Sequence, residues 1–477
     1  MPQPTAPCVV VAGLRGDSGK TLVSLAIAIG ARDCGVDVRG FKKGPDYIDA
    51  AWLGWATGTP CRNLDTFLTG DAGAASSFAR HAVRRGLNIV EGNRGLFDGV
   101  DWQGTHSTAA LARLLDAPVL LVLDVSKVTR TAAALVLGAR ALDPATRIAG
   151  VVLNRVAGSR HERVIRQALE SVDGPPVVGA VPRFAEPDLI PARHLGLTPP
   201  GEHMALDALR HVILSRLVRC IDLDRVLELA DVSQAQAGSL PAVTAVQLSR
   251  GSQLNPGRVV IGYVQDSAFS FYYPDNLEAL EAEGAVLVPV SAIEPAALPE
   301  EIDALYIGGG FPETHAARIA RNRSFLSSLA DRAGSGLPVF AECGGLLLLS
   351  RAIVWKGQRH EMAGVLPFDV SMEAVPQGHG YVELTIDRAN PFFRVGTEIV
   401  GHEFHYSQVS TPDGAIECAA RVTRGKGIGG GRDAVVYRSV WASYTHLHAI
   451  GCPEWAPAMV AAAKDYRAGR GGTIRTE

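Results

Sequence analysis

The sequence predicts an α/β protein of two domains, each built on a largely parallel β-sheet. Its 477 residues exceed what one hydrophobic core usually holds. In both halves short β-branched runs alternate with helical stretches, which is typical of βαβ units. A segment rich in Ser, Gln, Gly and Pro separates the two series. We therefore expect domains at 1–230 and 258–465, joined by a linker at 231–257.

The predicted strands of the first half are near-continuous apolar runs, as expected where both faces of a sheet are covered. They are Cys8–Ala12, Val36–Phe41, Leu87–Val90, Pro118–Leu123, Ile148–Leu153 and Val177–Val181, with helices such as Thr21–Ala31 and Thr131–Ala141 between them. The second half adds strands at Val259–Val264, Val286–Val290, Ala304–Ile307 and Pro338–Ala341, and strand-like stretches near Tyr381–Ile386, Ile416–Val422 and Ala434–Val440. The glycine-rich stretch Gly425–Gly431 predicts a hairpin or loop.

Composition excludes several classes of protein. The net charge is −3 and the pI about 6.5, so no basic excess indicates binding to nucleic acid or an anionic membrane. Seven cysteines are scattered without a CxxC pair, which indicates neither a disulfide framework nor a structural zinc site. The sequence contains no run of about 18 uncharged apolar residues, so no membrane span is predicted. A cytoplasmic protein fits these observations best.

A glycine-rich turn between the first strand and the first helix predicts a phosphate-binding loop. Backbone N–H groups of such a turn bind phosphate oxygens, a lysine neutralises charge, and a hydroxyl coordinates Mg²⁺. The pattern departs from GxxxxGK[ST], because Leu14 stands where the first glycine is expected and the glycine is at Gly13. The candidate nucleotide-binding residues are Gly16, Asp17, Ser18, Gly19, Lys20 and Thr21.

Charged and polar side chains follow the next strands, at the sheet edge where doubly wound folds bind ligands. Glu91 is the candidate for the acid of the magnesium site, with Thr21 and Asp46 as further ligands. Asn154 is a candidate for hydrogen bonding a base edge or for a cap. The alternative for the carboxylates is that they cap turns or helices. The candidates for contact with the substrate or an intermediate are Lys42, Asp49 and Asp98.

The second half places Cys343 between an apolar strand and an apolar helix, flanked by glycine. A strand-to-helix turn of this kind presents a nucleophile, and we expect the helix N-terminus to lower the thiol pKa. His446 is the candidate base, whereas His448 is expected to be structural. Candidates for the oxyanion hole are Gly309, Gly310 and Gly344. The alternative for the glycines is a simple connection, and a metal site at His402–His405 is not expected.

Several strings occur together in a fixed order: GDSGKT, FKKGPDYID, EGNRGLFDG, GGGFPE, AECGG, GHEFHYS and SYTHLH. Together they resemble the cobyrinic acid a,c-diamide synthase family over nearly the whole chain. The resemblance implies a dethiobiotin-synthetase-like P-loop ATPase domain with a doubly wound parallel sheet, followed by a class-I-type glutamine amidotransferase α/β domain.

The resemblance also implies the reaction. Cys343 would release ammonia from L-glutamine, and ATP with Mg²⁺ would phosphorylate a peripheral acetate carboxylate of a tetrapyrrole. Ammonia would then displace phosphate from the acyl phosphate. Most class I amidotransferases carry Glu two residues after the catalytic His, but here that residue is His448, so a Cys–His dyad is expected.

Other functions stay open at this point. Departures at Arg15, Lys43, Asn93, Arg94 and Gln265 leave room for a branch that amidates sirohydrochlorin or metallo-sirohydrochlorin. A dethiobiotin-synthetase-like ligase, or a relative that amidates another acid, is a further alternative among enzymes. From another class, the chain could be a nucleotide-switched binding protein with an inert C-terminal domain. A homodimer is compatible with all of these.

Overall fold

The structure, a computed structural model, describes residues 6–184, 190, 192–193, 196–203, 205–231, 258–410 and 416–471. The chain divides into two compact units. One contains Met1–Thr66 and Gly70–Ser249, and the other contains Phe67–Thr69 and Arg250–Glu477. Residues 232–257 of the predicted linker lie outside the described residues.

The first unit alternates strands and helices. Its strands are β1 (Cys8–Gly13), β2 (Val38–Lys43), β3 (Arg62–Leu64), β4 (Leu87–Glu91), β5 (Val119–Asp124), β6 (Ile148–Val156), β7 (Val177–Pro182), β8 (Ala192–Arg193) and β9 (Gly196–Leu197). Its α-helices are α1 (Lys20–Asp33), α2 (Tyr47–Thr57), α3 (Thr66–His81), α4 (Thr108–Leu114), α5 (Thr131–Leu142), α6 (Ser159–Glu170), α7 (Leu206–Val212) and α8 (Leu223–Leu229). Other helical turns are Pro200–Glu202, Ile213–Leu217 and Val218–Cys220.

Seven of these strands form one parallel sheet in the order β3-β2-β4-β1-β5-β6-β7. The order reverses around β1, so the loop after β1 lies where a doubly wound sheet binds ligands. Strand β2 begins and ends two residues later than predicted. It therefore contains Lys42 and Lys43, which were expected in the following loop. Their side chains consequently alternate across the sheet. Strand β3 is an edge strand that was not predicted.

The second unit combines a parallel part with an antiparallel part. Its strands are β10 (Val260–Val264), β11 (Phe269–Phe271), β12 (Val286–Val290), β13 (Ala304–Ile307), β14 (Gly309–Gly310), β15 (Val339–Glu342), β16 (Ala352–Trp355), β17 (Gln358–Glu361), β18 (Asp369–Met372), β19 (Gly378–Ile386), β20 (Glu398–His405), β21 (Ser407–Ser410), β22 (Cys418–Arg424), β23 (Arg432–Tyr437), β24 (Val440–Ser443) and β25 (His446–Leu447). Its helices are α9 (Pro274–Ala282), α10 (Ala316–Arg321), α11 (Arg323–Gly334), α12 (Gly344–Leu349) and α13 (Trp455–Gly471), with a helical turn at Pro312–His315.

The large sheet has the order β12-β10-β13-β15-β24-β23-β22-β19-β20-β25. Strands β12 to β24 in this order are parallel, and the remaining pairs are antiparallel. The prediction of one continuous strand at Ala434–Val440 is wrong, because a tight turn divides this segment between β23 and β24. Along β15 the side chains of Val339 and Ala341 join one hydrophobic cluster and that of Phe340 joins another, so both faces are covered.

The predicted fold class is confirmed: each unit is α/β, and the first carries its glycine-rich loop on a parallel sheet. Within the part of the chain that the structure describes, no helix is long and apolar enough to cross a membrane.

Candidate functional site

The loop between β1 and α1 is held by its own short contacts. The Ser18 hydroxyl donates to the Arg15 carbonyl at 2.8 Å. Asp17 and Gly19 adopt left-handed backbone conformations, with φ of 54° and 91°. A side chain at Gly13 would place its Cβ 2.7 Å from the Ser18 hydroxyl. Small residues are therefore required here, and Gly16 lies exposed at the top of the turn.

Lys20 begins α1 and folds its side chain back over the loop. Its ammonium group donates to the Arg94 carbonyl at 2.9 Å and lies 3.4 Å from the Arg15 carbonyl. Burial, together with the nearby Lys42 charge, lowers the Lys20 pKa. Two neutral carbonyls are weak partners for a buried ammonium compared with an anion. The position favours an incoming phosphate as the stronger partner.

Asn154 supports the loop from β6. Its amide Nδ2 donates to the Ser18 carbonyl at 2.8 Å, and its Oδ1 accepts from the Arg155 backbone N–H. A Cβ at Gly19 would lie 2.1 Å from the same Nδ2. Its side chain bonds the loop backbone, and the predicted contact with a base edge stays a prediction.

A buried charge network lies beside the loop, where β2 and β4 end. The Lys42 ammonium donates to Asp49 at 2.6 Å and to Glu91 Oε1 at 2.9 Å, and the Thr21 hydroxyl donates to the same Oε1 at 2.8 Å. Burial lowers the Lys42 pKa, but the carboxylates of Asp49, Glu91 and Asp46 outweigh it and raise the pKa. Burial raises the Glu91 pKa, and Lys42 opposes that rise. These residues meet because Lys42 and Glu91 are register partners on adjacent strands.

The oxygen atoms of this network suit Mg²⁺. Glu91 is fully buried, and among the described residues its Oε2 has no hydrogen-bond partner. Mg²⁺ commonly takes one or two protein carboxylates and completes its shell with phosphates and water. Thr21 and Glu91 therefore fit the ion, although the described residues contain no group of three or more His, Cys, Asp or Glu arranged for a metal.

The other two acids predicted near this edge have structural contacts. Asp46 caps α2, because its Oδ1 accepts from the backbone N–H groups of Ile48 and Asp49. Burial and the neighbouring Asp49 charge raise the Asp46 pKa to about 7. Asp98 is exposed and accepts from the Gly95 backbone N–H at 3.0 Å. Capping is therefore part of what both residues do, as the alternative interpretation proposed.

Asp124 at the end of β5 was not singled out from the sequence. It accepts from Arg15 and Arg155, both at 2.6 Å. Burial raises its pKa, but the hydrogen bonds from Ser126 and the two arginines outweigh it and hold the pKa well below its usual range. The sequence could have indicated Asp124, because it ends an apolar strand in the same way as Glu91 ends β4. The pair of arginines places positive charge beside the phosphate loop.

In the second unit, Cys343 occupies a strained turn between β15 and α12. Its φ is 47° and its ψ is −96°, a conformation that costs on the order of 1–3 kcal/mol for a residue other than glycine. Its backbone N–H donates to the Ser443 carbonyl at 2.7 Å, which ties the turn to the end of β24. Such a turn is the geometry of a nucleophile elbow.

The expectation of a lowered thiol pKa is wrong for this state of the protein. Burial raises the Cys343 pKa far above its ordinary value, and the carboxylates of Glu313, Glu342 and Glu403 raise it further, while a hydrogen bond from the Gly344 backbone N–H opposes them. A thiolate here therefore requires a proton acceptor or a bound ligand.

The three candidate oxyanion glycines come together around this turn. A Cβ at Gly344 would lie 3.1 Å from the backbone nitrogen of Gly310. A Cβ at Gly309 would lie 2.5 Å from His446 Cε1. Because no side chain fits at either place, the backbone of β14, the turn at Cys343 and the imidazole ring can approach closely.

His446 lies in β25 with its ring buried. Its Nδ1 is 3.7 Å from Glu342 Oε2, and its ring stacks on His402 with a centroid distance of 4.9 Å. Burial and the neighbouring His446 and His448 hold the His402 pKa well below its usual range, so His402 is neutral. His448 lies against Tyr273 at a centroid distance of 4.7 Å. Glu342 was missed from the sequence, although a charged residue inside an apolar strand beside a cysteine was a visible signal.

The segment His402–His405 does not form a metal site among the described residues. Glu403 instead accepts from the backbone N–H groups of Lys426 and Gly427, at 2.6 and 2.9 Å. His405 stacks on Tyr444 with a centroid distance of 3.6 Å. These contacts join the glycine-rich loop after β22 to the strands that carry the candidate base.

Two family models match the chain. Residues 9–197 match the CobQ/CobB/MinD/ParA nucleotide binding domain, and residues 260–452 match the CobB/CobQ-like glutamine amidotransferase domain. The two matches lie on the two units in turn. The chain therefore combines a nucleotide-binding domain with a glutamine amidotransferase domain.

Curated relatives match along nearly their full length. The relative from Magnetococcus marinus, "Cobyrinate a,c-diamide synthase", is 42% identical over 94% of this chain and 96% of its own. Relatives of the same name from Syntrophotalea carbinolica and Methanothermobacter thermautotrophicus are each 39% identical. They cover 96% and 94% of this chain, and 98% and 97% of their own.

Proposed function

The chain belongs to the cobyrinate a,c-diamide synthase family and is a glutamine-dependent amidotransferase, and from this premise we propose its complete reaction. It uses ATP to activate peripheral acetate carboxylates of a tetrapyrrole, cobyrinate, and converts them into carboxamides with ammonia from L-glutamine. The first unit makes an acyl phosphate, and the second unit hydrolyses glutamine.

In the first unit the phosphate loop binds ATP. The backbone from Gly16 to Gly19 surrounds the phosphates, and Lys20 exchanges its two carbonyl partners for phosphate oxygens. Thr21 and Glu91 would hold Mg²⁺, and Asp46 would be a further oxygen donor. The ion supplies charge neutralisation for the phosphates.

The buried Lys42 provides a positive charge beside this site. Its ammonium donates to Asp49, to Glu91 and, at 3.2 Å, to the Gly92 carbonyl, so all three of its N–H donors are engaged. An incoming substrate carboxylate takes the place of the neutral Gly92 carbonyl, because an anion is the stronger acceptor. An oxygen of the substrate carboxylate attacks the γ-phosphorus of ATP. The bond to the β–γ bridging oxygen breaks, ADP leaves, and an acyl phosphate forms.

In the second unit the sulfur of Cys343 attacks the carboxamide carbon of glutamine after His446 takes the thiol proton. The oxyanion is stabilised by backbone N–H groups from Gly309, Gly310 and Gly344. His446 returns the proton to the leaving ammonia. Water then hydrolyses the thioester, releasing glutamate and restoring the thiol.

The two half-reactions are joined by ammonia. Its nitrogen attacks the carbonyl carbon of the acyl phosphate, the carbon–oxygen bond to phosphate breaks, and inorganic phosphate leaves. The carboxamide is the product. Each amidation therefore consumes one ATP and one glutamine.

One observation carries this proposal: Cys343 is held at φ 47° against the glycines and beside the sheet edge that carries His446. A C-terminal domain that only recruits a partner has no reason to maintain a strained, buried thiol in such surroundings. This argues against the nucleotide-switched binding protein. It also argues against a ligase that needs no glutaminase.

Amidation of sirohydrochlorin or metallo-sirohydrochlorin is the alternative with the same mechanism. The relatives that cover this chain are named for cobyrinate, which favours the corrinoid. The departures at Arg15, Lys43 and Arg94 lie in the first unit, and there Arg15 is engaged with Asp124. The substrates are therefore compared directly.

The test uses purified protein with ATP, Mg²⁺ and glutamine, offered cobyrinic acid, hydrogenobyrinic acid or sirohydrochlorin in parallel. Each conversion of a carboxyl to a carboxamide lowers the product mass by about 1 Da in the acyl-transfer chemistry assumed here. We expect two such conversions of cobyrinic acid. Amidation of sirohydrochlorin alone would replace the substrate, and no amidation of any tetrapyrrole would contradict the proposal.

A further inference from the structure

Glu342 is a buried carboxylate with a defined set of partners. It ends β15, precedes Cys343 directly and has no exposed surface. Its Oε2 accepts from the Tyr306 hydroxyl at 2.9 Å, and its Oε1 accepts from the Leu447 backbone N–H at 2.9 Å. A buried carboxylate is tolerated only when such bonds satisfy it. Its position is therefore fixed by two strands other than its own.

The same carboxylate faces the imidazole of His446. Glu342 Oε2 lies 3.7 Å from His446 Nδ1, and the Leu447 N–H that Oε1 binds belongs to the next residue of β25. The opposite side of the ring faces β14, because a Cβ at Gly309 would lie 3.2 Å from His446 Nε2. One ring nitrogen thus faces an acid, and the other faces the glycines beside the nucleophile.

His448 stands where most class I amidotransferases have a glutamate, and its ring is turned to other residues. Its Nε2 is 4.0 Å from Asp275 Oδ2, and it packs on Tyr273. The chain position two residues after His446 therefore places no acid at the catalytic histidine. The carboxylate at Nδ1 comes from the strand that carries the cysteine.

We propose that Glu342 is the positioning residue of the glutaminase site. It keeps the proton of neutral His446 on Nδ1, so that the lone pair of Nε2 takes the thiol proton, and it stabilises the imidazolium that forms. This inference rests on the proposed roles of Cys343 and His446. The Nδ1 to carboxylate distance of 3.7 Å shortens to a hydrogen bond when glutamine fills the site, as such contacts commonly do.

Two of the groups that contact His446 or Glu342 are neutral, whereas Glu342 brings a carboxylate to the ring. His402 stacks on the ring but is neutral, because burial and the neighbouring histidines lower its pKa. The Tyr306 hydroxyl, which shares Glu342 Oε2, is also neutral, since burial and the Glu342 charge raise its pKa well above the ordinary value. Other titratable groups of this region are the Cys343 thiol and the carboxylates of Glu313 and Glu403, whose charges act on that thiol. Glu342, at 3.7 Å from Nδ1, is therefore placed to stabilise an imidazolium at His446.

The experiment compares Glu342→Gln and Glu342→Asp with the wild type in the full-length enzyme. In Glu342→Gln the new amide keeps the size of the side chain but removes the charge and turns a donor toward His446. We expect the kcat for glutamine hydrolysis to fall by about 100-fold or more with little change in KM, as happens when the acid of a triad becomes an amide. Amidation supported by ammonium chloride is expected to be unchanged, and Glu342→Asp is expected to recover part of the loss.

The pH profile of glutamine hydrolysis shows whether Glu342 orients the His446 ring or only stabilises the fold. Without the carboxylate, protonation of the imidazole ring is less favourable. Because the neutral ring is the base, the acid limb of kcat/KM for glutamine hydrolysis should move to lower pH in Glu342→Gln. Asp303→Asn is the matched control, since Asp303 is a buried carboxylate that bonds the Val260 N–H at the other end of the sheet. It is expected to leave kcat and the profile unchanged.

The results distinguish this inference from the proposed function. If Cys343→Ala and His446→Ala lose glutamine hydrolysis while Glu342→Gln keeps it within about threefold, Glu342 is not the positioning residue and the glutaminase site stands. If Glu342→Gln also loses the ammonia-supported reaction, its role is structural and the inference fails. If Cys343→Ala keeps glutamine hydrolysis, the proposed site itself is wrong.

Discussion

The two candidate sites differ in how they are prepared for their ligands. In the first unit, Lys20 is paired with neutral carbonyls, and Glu91 Oε2 is buried without a hydrogen-bond partner among the described residues. In the second unit, Glu342 already binds Tyr306 and Leu447. The first site is completed by the charges that its ligands bring. In the second site the carboxylate of Glu342 is already bonded within the chain.

The difference follows from the chemistry proposed for each site. ATP and Mg²⁺ bring their own charges, so the protein needs only a loop of N–H groups, a lysine and a few oxygens. Glutamine is neutral at its amide, so the nucleophile, base and oxyanion donors must come from the chain. Variants should therefore separate the two sites cleanly.

The largest effect is expected from Cys343→Ala. Loss of the nucleophile should reduce glutamine-supported amidation by at least about 10⁴-fold, as removal of a catalytic nucleophile does elsewhere. Amidation with ammonium chloride should continue near the wild-type rate, because the first unit is intact. Glutamate release and product mass are measured together. Cys452→Ala, which removes another buried free thiol of the same unit, is the control and should keep both activities.

Lys20→Gln should have the next largest effect and the opposite selectivity. Loss of the charge at the phosphate loop should lower amidation by about 10²–10³-fold with either nitrogen source, the range seen when one group that stabilises the transition-state charge is removed. Glutamine hydrolysis measured by itself should persist. Lys127→Gln removes an exposed lysine of the same unit and should have no effect. Equal loss of glutamine hydrolysis in Lys20→Gln would break the separation of the two sites.

Gly309→Ala should lower glutamine hydrolysis by about 10–100-fold, since a displacement of the base by about 1 Å has an effect of this size. The added Cβ would lie 2.5 Å from His446 Cε1, so the ring must move. Gly334→Ala in α11 meets open space and is the control. Steady-state glutaminase assays on both variants make the comparison, and an unchanged kcat in Gly309→Ala would contradict the close approach of β14 to His446.

Asn154→Ala should have the smallest effect. Its amide bonds the Ser18 carbonyl, and loss of about 1 kcal/mol of support for the loop should raise the Kd for ATP by about 3–10-fold. Binding is measured by calorimetry with a non-hydrolysable ATP analogue. Gln167→Ala removes an exposed amide from α6 and should leave the affinity unchanged. A Kd that rose far beyond tenfold would indicate direct contact with the nucleotide.

Local sequence patterns predicted those parts of both sites that consist of residues adjacent in the chain. The order strand, glycine-rich turn, helix is enough to locate Lys20 and Cys343, because each turn is defined by residues adjacent in the chain. The same holds for most strands of the two sheets, which are apolar runs bounded by turn residues. Boundaries shifted where charged residues continue a strand, as at Lys42.

The contacts between distant residues could not be predicted. Lys42 meets Glu91 only because β2 lies next to β4 in the sheet, and that order is set by packing of the whole unit. Glu342 and His446 are 104 positions apart in the sequence (446 − 342), yet their side chains lie 3.7 Å apart because β15 and β25 belong to the same sheet. The elbow thiol was expected to have a lowered pKa because helix α12 was expected to dominate. Burial instead raises the pKa of the Cys343 thiol, and burial cannot be read from the local strand-to-helix pattern.

The central claim is that the first unit makes an acyl phosphate, from which ammonia then displaces inorganic phosphate. Transfer of a carboxylate oxygen to phosphate tests this claim most directly. The tetrapyrrole is labelled with heavy oxygen in its acetate carboxylates and incubated with ATP, Mg²⁺ and glutamine, and the released phosphate is examined by mass spectrometry. The account predicts one heavy oxygen in inorganic phosphate for each carboxamide formed. Carboxamide formation with unlabelled phosphate would contradict it.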